Sequence, residues 1–167
     1  MGAAQFEDSA FAKSLSEAFS KAVRQACYDH GHSGYTGTIA EKGDYIVVPR
    51  RPRVTAAKII DTISRATFAA ALNDTKDPWY REDKVADKAF AQLVEWYGQS
   101  AARQFVRTYN DKWGPCIAIE ASAAETAAYK KRWGIGVHVS YDSRGTVTKT
   151  VKRVHGKLYY FAGWASC

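Results

Sequence analysis

Apolar positions along the chain follow two spacings, and each predicts an element. Phe11, Leu15, Ala18, Phe19, Ala22 and Ala26 recur at helical spacing, so a first helix is expected behind Asp8 or Ser9 as N-cap. It should end near Asp29, where Gly31 and Gly34 break it. Short strands follow at 35–41 and 44–49, with Lys42-Gly43 as the turn between them. Pro49 and Pro52 bracket a basic loop, Arg50-Arg51-Pro52-Arg53. Thr55 then caps a second helix carrying Ile59, Ile60, Ile63, Thr67, Phe68 and Leu72. A third helix over 84–109 turns Phe90, Leu93, Val94, Tyr97, Ala101 and Phe105 inward. Beyond Trp113-Gly114-Pro115 the pattern predicts a strand, Cys116–Glu120, and a short Ala-rich helix, Ala123–Arg132. The tail reads as strands at Val137–Tyr141, 146–154 and 157–165, with Ser143-Arg144-Gly145 and His155-Gly156 as tight connections.

Helices mixed with hairpins argue for an α+β fold, with a mixed or mainly antiparallel sheet and about four helices, over a doubly wound α/β fold. The polar segment 73–81, which contains Pro78, is the best candidate for an internal boundary. One domain spanning 1–167 is therefore expected, with sub-lobes of about 1–75 and 82–167.

Composition narrows the class. With 46% hydrophobic and 25% charged residues, the 167-residue chain is neither disordered nor fibrous. Its 24 basic and 17 acidic residues give a net charge of +7, which suits an anionic partner and equally suits plain solubility. Cys27, Cys116 and Cys167 are scattered and form no disulfide framework, which fits a reducing compartment. The opening residues lack the basic and apolar regions of a signal peptide. No apolar run approaches the roughly 20 residues that span a bilayer. A cytoplasmic protein without membrane contact is the expectation.

Candidate chemistry concentrates in Tyr28-Asp29-His30-Gly31-His32-Ser33-Gly34-Tyr35-Thr36-Gly37-Thr38-Ile39. A glycine-bearing loop whose amides converge can cradle an anion. Here it follows a helix C-terminus, whose dipole disfavours anions, and the phosphate-loop ending Gly-Lys-Ser/Thr is absent. Binding would rest on Tyr35 for stacking, on Thr36, Thr38 and Lys42, and on Arg50, Arg51 and Arg53 for charge. The same residues also read as a helix cap leading into an edge strand. His30-x-His32 lacks the further ligands of a zinc site, so neither metal nor cofactor is expected.

His138, Ser140 and Asp142 share one face of a strand. A His followed two residues on by Ser resembles one half of the two-histidine phosphoesterase motif, in which paired imidazoles act as base and acid. No second copy stands in the sequence, so His138 with His30 or His32 would have to complete the catalytic pair; a solvated strand face is the plain reading. Basic residues group at 50–53, at 130–132 and after Asp142. They can meet phosphates or guard exposed strand edges against aggregation. No zinc-finger, RRM or basic-zipper spacing occurs. Trp79, Tyr80, Trp133 and Trp164 are candidate anchors for a protein partner.

The run from His30 to Lys42, with its Gly-His-x-x-Tyr-x-Gly-Thr-Ile segment, resembles small bacteriophage-encoded proteins, particularly those of actinobacterial phages. An aromatic ending like Phe161-Ala162-Gly163-Trp164-Ala165-Ser166 accompanies the segment there. The resemblance covers about the first quarter and the last few residues and transfers no activity. It implies a setting: an accessory protein inside a bacterial host cell, acting on host nucleic acids, signalling nucleotides or defence proteins. A non-enzymatic protein that binds an anionic nucleotide or nucleic acid is the leading expectation. A His-dependent phosphodiesterase or nuclease, and an inhibitor of a host or viral protein or a virion component, are the alternatives.

Overall fold

The computed structural model describes residues 2–31, 34–73, 82–141, 143–152 and 154–167; for His138, Lys149 and Val151 it describes the backbone alone. Among these residues it contains six strands and five α-helices, and the fold is α+β as expected. The strands are β1 (Ala3–Ala12), β2 (Tyr45–Val47), β3 (Cys116–Glu120), β4 (Val137–Tyr141), β5 (Val147–Val151) and β6 (Lys157–Ser166). The helices are α1 (Leu15–His30), α2 (Ala56–Arg65), α3 (Lys84–Tyr97), α4 (Gln99–Asn110) and α5 (Ala123–Arg132).

Four strands form a mixed sheet in the order β1-β6-β3-β2, with β6 antiparallel to both neighbours and β2 parallel to β3. Its two faces follow the strand alternation. Phe6, Ala10, Cys116, Ala118, Tyr159, Phe161 and Ala165 pack under α1 through Ala18, Ala22 and Ala26. Ile117, Ile119 and Ala162 pack under α2, α3 and α4 through Ile59, Ile63, Phe90, Leu93, Phe105 and Val106. β4 and β5 form a separate two-stranded ribbon.

Five sequence expectations are corrected. The first helix does not open behind Asp8 or Ser9, because residues 3–12 are strand and pair with β6 over their whole length. Cross-strand pairing won over the helical spacing that had included Phe11. The helix starts at Leu15, where the Ser14 hydroxyl accepts from the Glu17 amide at 3.2 Å and the Glu17 carboxylate reaches back to the Lys13 amide. The expected strand at 35–41 is instead a loop ending in a 3-10 turn, Ile39–Glu41, because Tyr35 (φ 74°) and Gly37 (φ 69°) are left-handed. Lys42-Gly43 closes no hairpin, since β2 pairs in parallel with β3 through Tyr45 opposite Cys116. The expected helix over 84–109 breaks at Gly98, whose φ of 81° both ends α3 and starts α4.

The second helix ends at Arg65 and continues as a 3-10 turn, Ala66–Phe68, so Phe68 points outward instead of into the core. Of the segment 73–81, residues 74–81, and with them Trp79 and Tyr80, lie outside the described residues.

Phe161 is fully buried at the centre of the α1 face, edge-on to Phe19 at 5.6 Å and to Tyr45 at 6.3 Å. Phe161→Ala is expected to cost about 3–5 kcal/mol, seen as a lowered urea midpoint with an unchanged slope. A loss below about 1 kcal/mol would show that this face is not packed around that ring.

Candidate nucleic-acid interface

The glycine-bearing loop does form a cradle of donors, and the chain's own Glu41 fills it. The Thr36 amide and hydroxyl both donate to Glu41 Oε1 at 3.0 Å, and the Thr36 and Thr38 hydroxyls meet at 2.8 Å. Thr38 also caps the 3-10 turn by accepting from the Ala40 amide at 3.3 Å. These bonds, the Thr36 amide first and then its hydroxyl and the Tyr35 amide, hold the Glu41 carboxyl below its ordinary 4.5 against a smaller effect of burial. Ser166 Oγ lies near enough to add a little, although it is outside hydrogen-bonding geometry. An incoming anion would have to displace this carboxylate.

Lys42 is likewise engaged. Only 3% exposed, its ammonium donates to the Asp111 carbonyl at 2.7 Å and the Gly114 carbonyl at 3.1 Å. Burial lowers its pKa. It ties the turn before β3 to the loop. Cys116 beside it is a core thiol pushed up to about 12 by burial, which leaves it unreactive.

The loop and the arginines do not form one site. Gly37 donates to the Ser166 carbonyl at 2.8 Å, at one end of β6. Arg50 lines a cleft with Gly156 and Lys157 at the other end. The nine residue steps from Lys157 to Ser166 put roughly 30 Å between them at ~3.3 Å per residue. Arg51 donates to the Trp96 carbonyl at 3.1 Å, and Arg53 is exposed with a left-handed φ of 62°. Tyr35 does stand half exposed, but its neighbour is Trp113, ring edge to ring face at 6.2 Å, with Lys112 over the indole.

The histidines are also apart. His30 closes α1 near Asp8, whose carboxyl is raised chiefly by burial. His138 lies on β4 opposite Thr150, on a ribbon that packs closely on neither α1 nor β1. His32 lies outside the described residues. Among the described residues no three His, Cys, Asp or Glu side chains converge to hold a metal ion.

What does converge is positive charge. Residues 130–157 hold eight Lys or Arg and one Asp, so the whole net charge of +7 sits there; the rest of the chain is balanced at 16 and 16. Two of the eight have structural tasks. Lys130 donates to the Val154 carbonyl at 2.6 Å and lies 4.9 Å over the Phe11 ring, and Lys157 pairs with Glu120 at 2.9 Å. With Arg50 they line a cleft of about 340 Å³ at the foot of the ribbon. Lys131, Arg132 and Lys152 are exposed around that foot, and Arg144 is exposed at the ribbon tip.

The ribbon itself stands clear of the core. Val137, Val139, Tyr141 and Val147 alternate onto one of its faces and are 42–71% exposed, while Ser140, Thr148 and Thr150 alternate onto the other; by register Lys149 stands opposite Val139. Trp133 at its foot is also exposed, whereas Trp164 packs into the cluster beneath α2–α4 and is no surface anchor. Grouping lysines and arginines by their place along the sequence did not join Arg50 to Lys130 and Lys157; the strand order does. Among the described residues no helix is long and apolar enough to cross a membrane. Compared with protein-family models, with curated proteins and with solved structures, the chain matches none.

The Glu41 cradle sets a pH dependence. The unfolded chain takes up this proton near 4.5, while the fold holds it off to lower pH. The unfolded state therefore binds more protons in that interval, and stability falls as pH drops through it. Glu7 and Asp8, both raised by burial, act in the opposite sense, so a paired comparison isolates the loop. The urea midpoint of Glu41→Gln should lie below that of the parent protein at pH 7 and converge on it towards pH 3. A constant gap would mean that the carboxylate's charge is not what the loop uses.

Proposed function

We propose that this protein is a non-enzymatic nucleic-acid-binding protein whose contact surface is the basic ribbon β4–β5 and its foot. The observation that carries the reading is the confinement of the entire net charge to residues 130–157, around an element that no other helix or strand covers closely among the described residues. Phosphate neutralisation supplies most of non-specific nucleic-acid affinity. A two-stranded ribbon is narrow enough to enter a major groove. Tyr141 is 71% exposed next to the tip and offers a ring for stacking on an unpaired base. In the setting that the phage resemblance implies, the nucleic acid is that of the bacterial host or of the virus, and binding interferes with host defence or signalling.

The exposed stripe Val137, Val139, Tyr141 and Val147 favours a second reading, in which the ribbon grips a protein partner. Salt separates the two, because counterion release makes nucleic-acid binding steeply salt-dependent and an apolar contact is not.

The test is fluorescence anisotropy with a mixed-sequence DNA duplex and its single strand between 50 and 200 mM salt. Binding by the parent protein should fall linearly in log K against log salt. The variant Lys131→Gln/Arg132→Gln/Lys152→Gln, with an unchanged melting temperature, should show a slope shallower by roughly 2 to 3 and weaker binding to every sequence. No binding at 50 mM salt, or an unchanged slope in the variant, would sink the proposal.

A further inference from the structure

We propose a second anion site, independent of the ribbon, in the cleft between α2 and α3, and we infer that it takes an oligophosphate chain. The cleft has a volume of about 400 Å³ and is lined by Lys58, Thr62, Arg65, Lys84, Lys88 and Gln92, with Ala89 and Val85 completing it. Thr62 and Ala89 are buried and form its floor; the four cations are exposed along its rim.

Helical spacing explains why the cations meet. Lys58, Thr62 and Arg65 lie on one stripe of α2, and Lys84, Lys88 and Gln92 on one stripe of α3, at intervals of three or four residues. Packing α2 on α3 turns the two stripes into facing walls. Lys58 and Arg65 are about 10 Å apart along the axis at ~1.5 Å per residue. Positive charge spread over that length suits a chain of two or three phosphates better than a single one.

The carboxylate that compensates the α2 cations, Asp61, stands outside this lining, on the side of α2 that faces β1. Asp61 bridges Lys58 at 3.2 Å and Arg65 at 2.8 Å, and these bonds lower its pKa against the opposing effect of burial. Lys84 and Lys88 face the same cleft from α3. The start of α3 adds little, because the Val85 and Ala86 amides are both taken by Asp83 Oδ1 at 2.9 and 3.1 Å. The attraction therefore comes from side chains. Among the described residues no aromatic ring lines the cleft, and its lining is made of cations, Thr62, Gln92 and two aliphatic side chains. The phosphate chain itself is the recognised group, whether free or carried by a nucleotide.

Isothermal titration with inorganic triphosphate, with orthophosphate and with ATP tests this. Triphosphate should bind, and orthophosphate should bind more weakly. Lys84→Gln/Lys88→Gln should weaken triphosphate by about tenfold or more, since each lysine can supply a charge-assisted hydrogen bond. Asp61→Asn, which releases Lys58 and Arg65 from their internal partner, should strengthen it. ATP binding as well as triphosphate assigns the site to the chain regardless of carrier, and much weaker ATP binding assigns it to free oligophosphate. Absence of triphosphate binding, or indifference to both variants, would overturn the proposal. The ribbon variant Lys131→Gln/Arg132→Gln/Lys152→Gln should leave triphosphate affinity unchanged, which keeps this outcome separate from that of the nucleic-acid reading.

Discussion

Everything in this molecule is arranged around the ladder between its first and last strands. β6 lies inside the sheet, and β1 pairs with it residue for residue from Ala3 opposite Ser166 to Ala12 opposite Lys157. β3 takes the other side of β6. Without β6, β1 and β3 have no common neighbour, and both helical layers lose the strand on which they rest. The chain enters β6 through Gly156, where an added Cβ would stand 2.7 Å from the Phe11 ring and 2.8 Å from the Ala12 carbonyl. Only glycine allows that approach. Such long-range pairing must be closed across most of the chain, which delays the reward for the entropy spent and favours slow folding.

The second constraint is that polar groups beneath the loops be satisfied internally. The segment 34–42 crosses one end of the sheet, with Gly37, Ile39 and Lys42 buried and the residues between them partly open. Glu41 answers the Thr36 amide and hydroxyl, and Lys42 answers the carbonyls of Asp111 and Gly114. One residue supplies an acceptor to its own loop, and the next supplies a donor to a distant one. An unmet buried partner costs about 1–3 kcal/mol, so these contacts fix the loop more firmly than its glycines suggest. A segment with the composition of an anion cradle has become a joint.

Much of the fold was legible where local signals and packing agreed. Thr55 before α2, Ser122 with Glu125 at α5 and the apolar run of β3 all carry signals that need no distant partner. The errors fall where distant contacts decide. Phe11 fits a helical stripe, yet β6 draws it into a strand; the Ser14-x-x-Glu17 spacing three residues later was the usable signal for the true helix start. Gly98 interrupts a helix whose apolar spacing runs straight through it, and only its φ of 81° reveals the break. The glycine-bearing loop and the arginines come apart for a related reason. Tyr35, Thr36 and Thr38 are near Arg50 and Arg51 in sequence, but the length of the sheet separates them. Arg50 instead stands with Lys130 and Lys157, about 80 and 107 positions along the chain, because β2 and β3 are parallel neighbours.

The ribbon carries a different kind of argument, about why an element without a core persists. A two-stranded hairpin is marginal in water on its own, and β4–β5 shows its apolar stripe to solvent instead of to a helix. Its foot is held by Lys130 on the Val154 carbonyl and by the Lys152 amide on the Gly136 carbonyl, so the anchor is firm where it meets the body. Towards the tip the two strands hold each other, and the Ser140 hydroxyl donates to the Thr148 carbonyl at 3.4 Å. Eight cations with one acid between 130 and 157 repel each other and weaken the free ribbon further. A polyanion laid along it would remove that repulsion and shield part of the stripe at once. On the proposed reading, the element that stands clear of the core is thus the one that a negatively charged partner would steady.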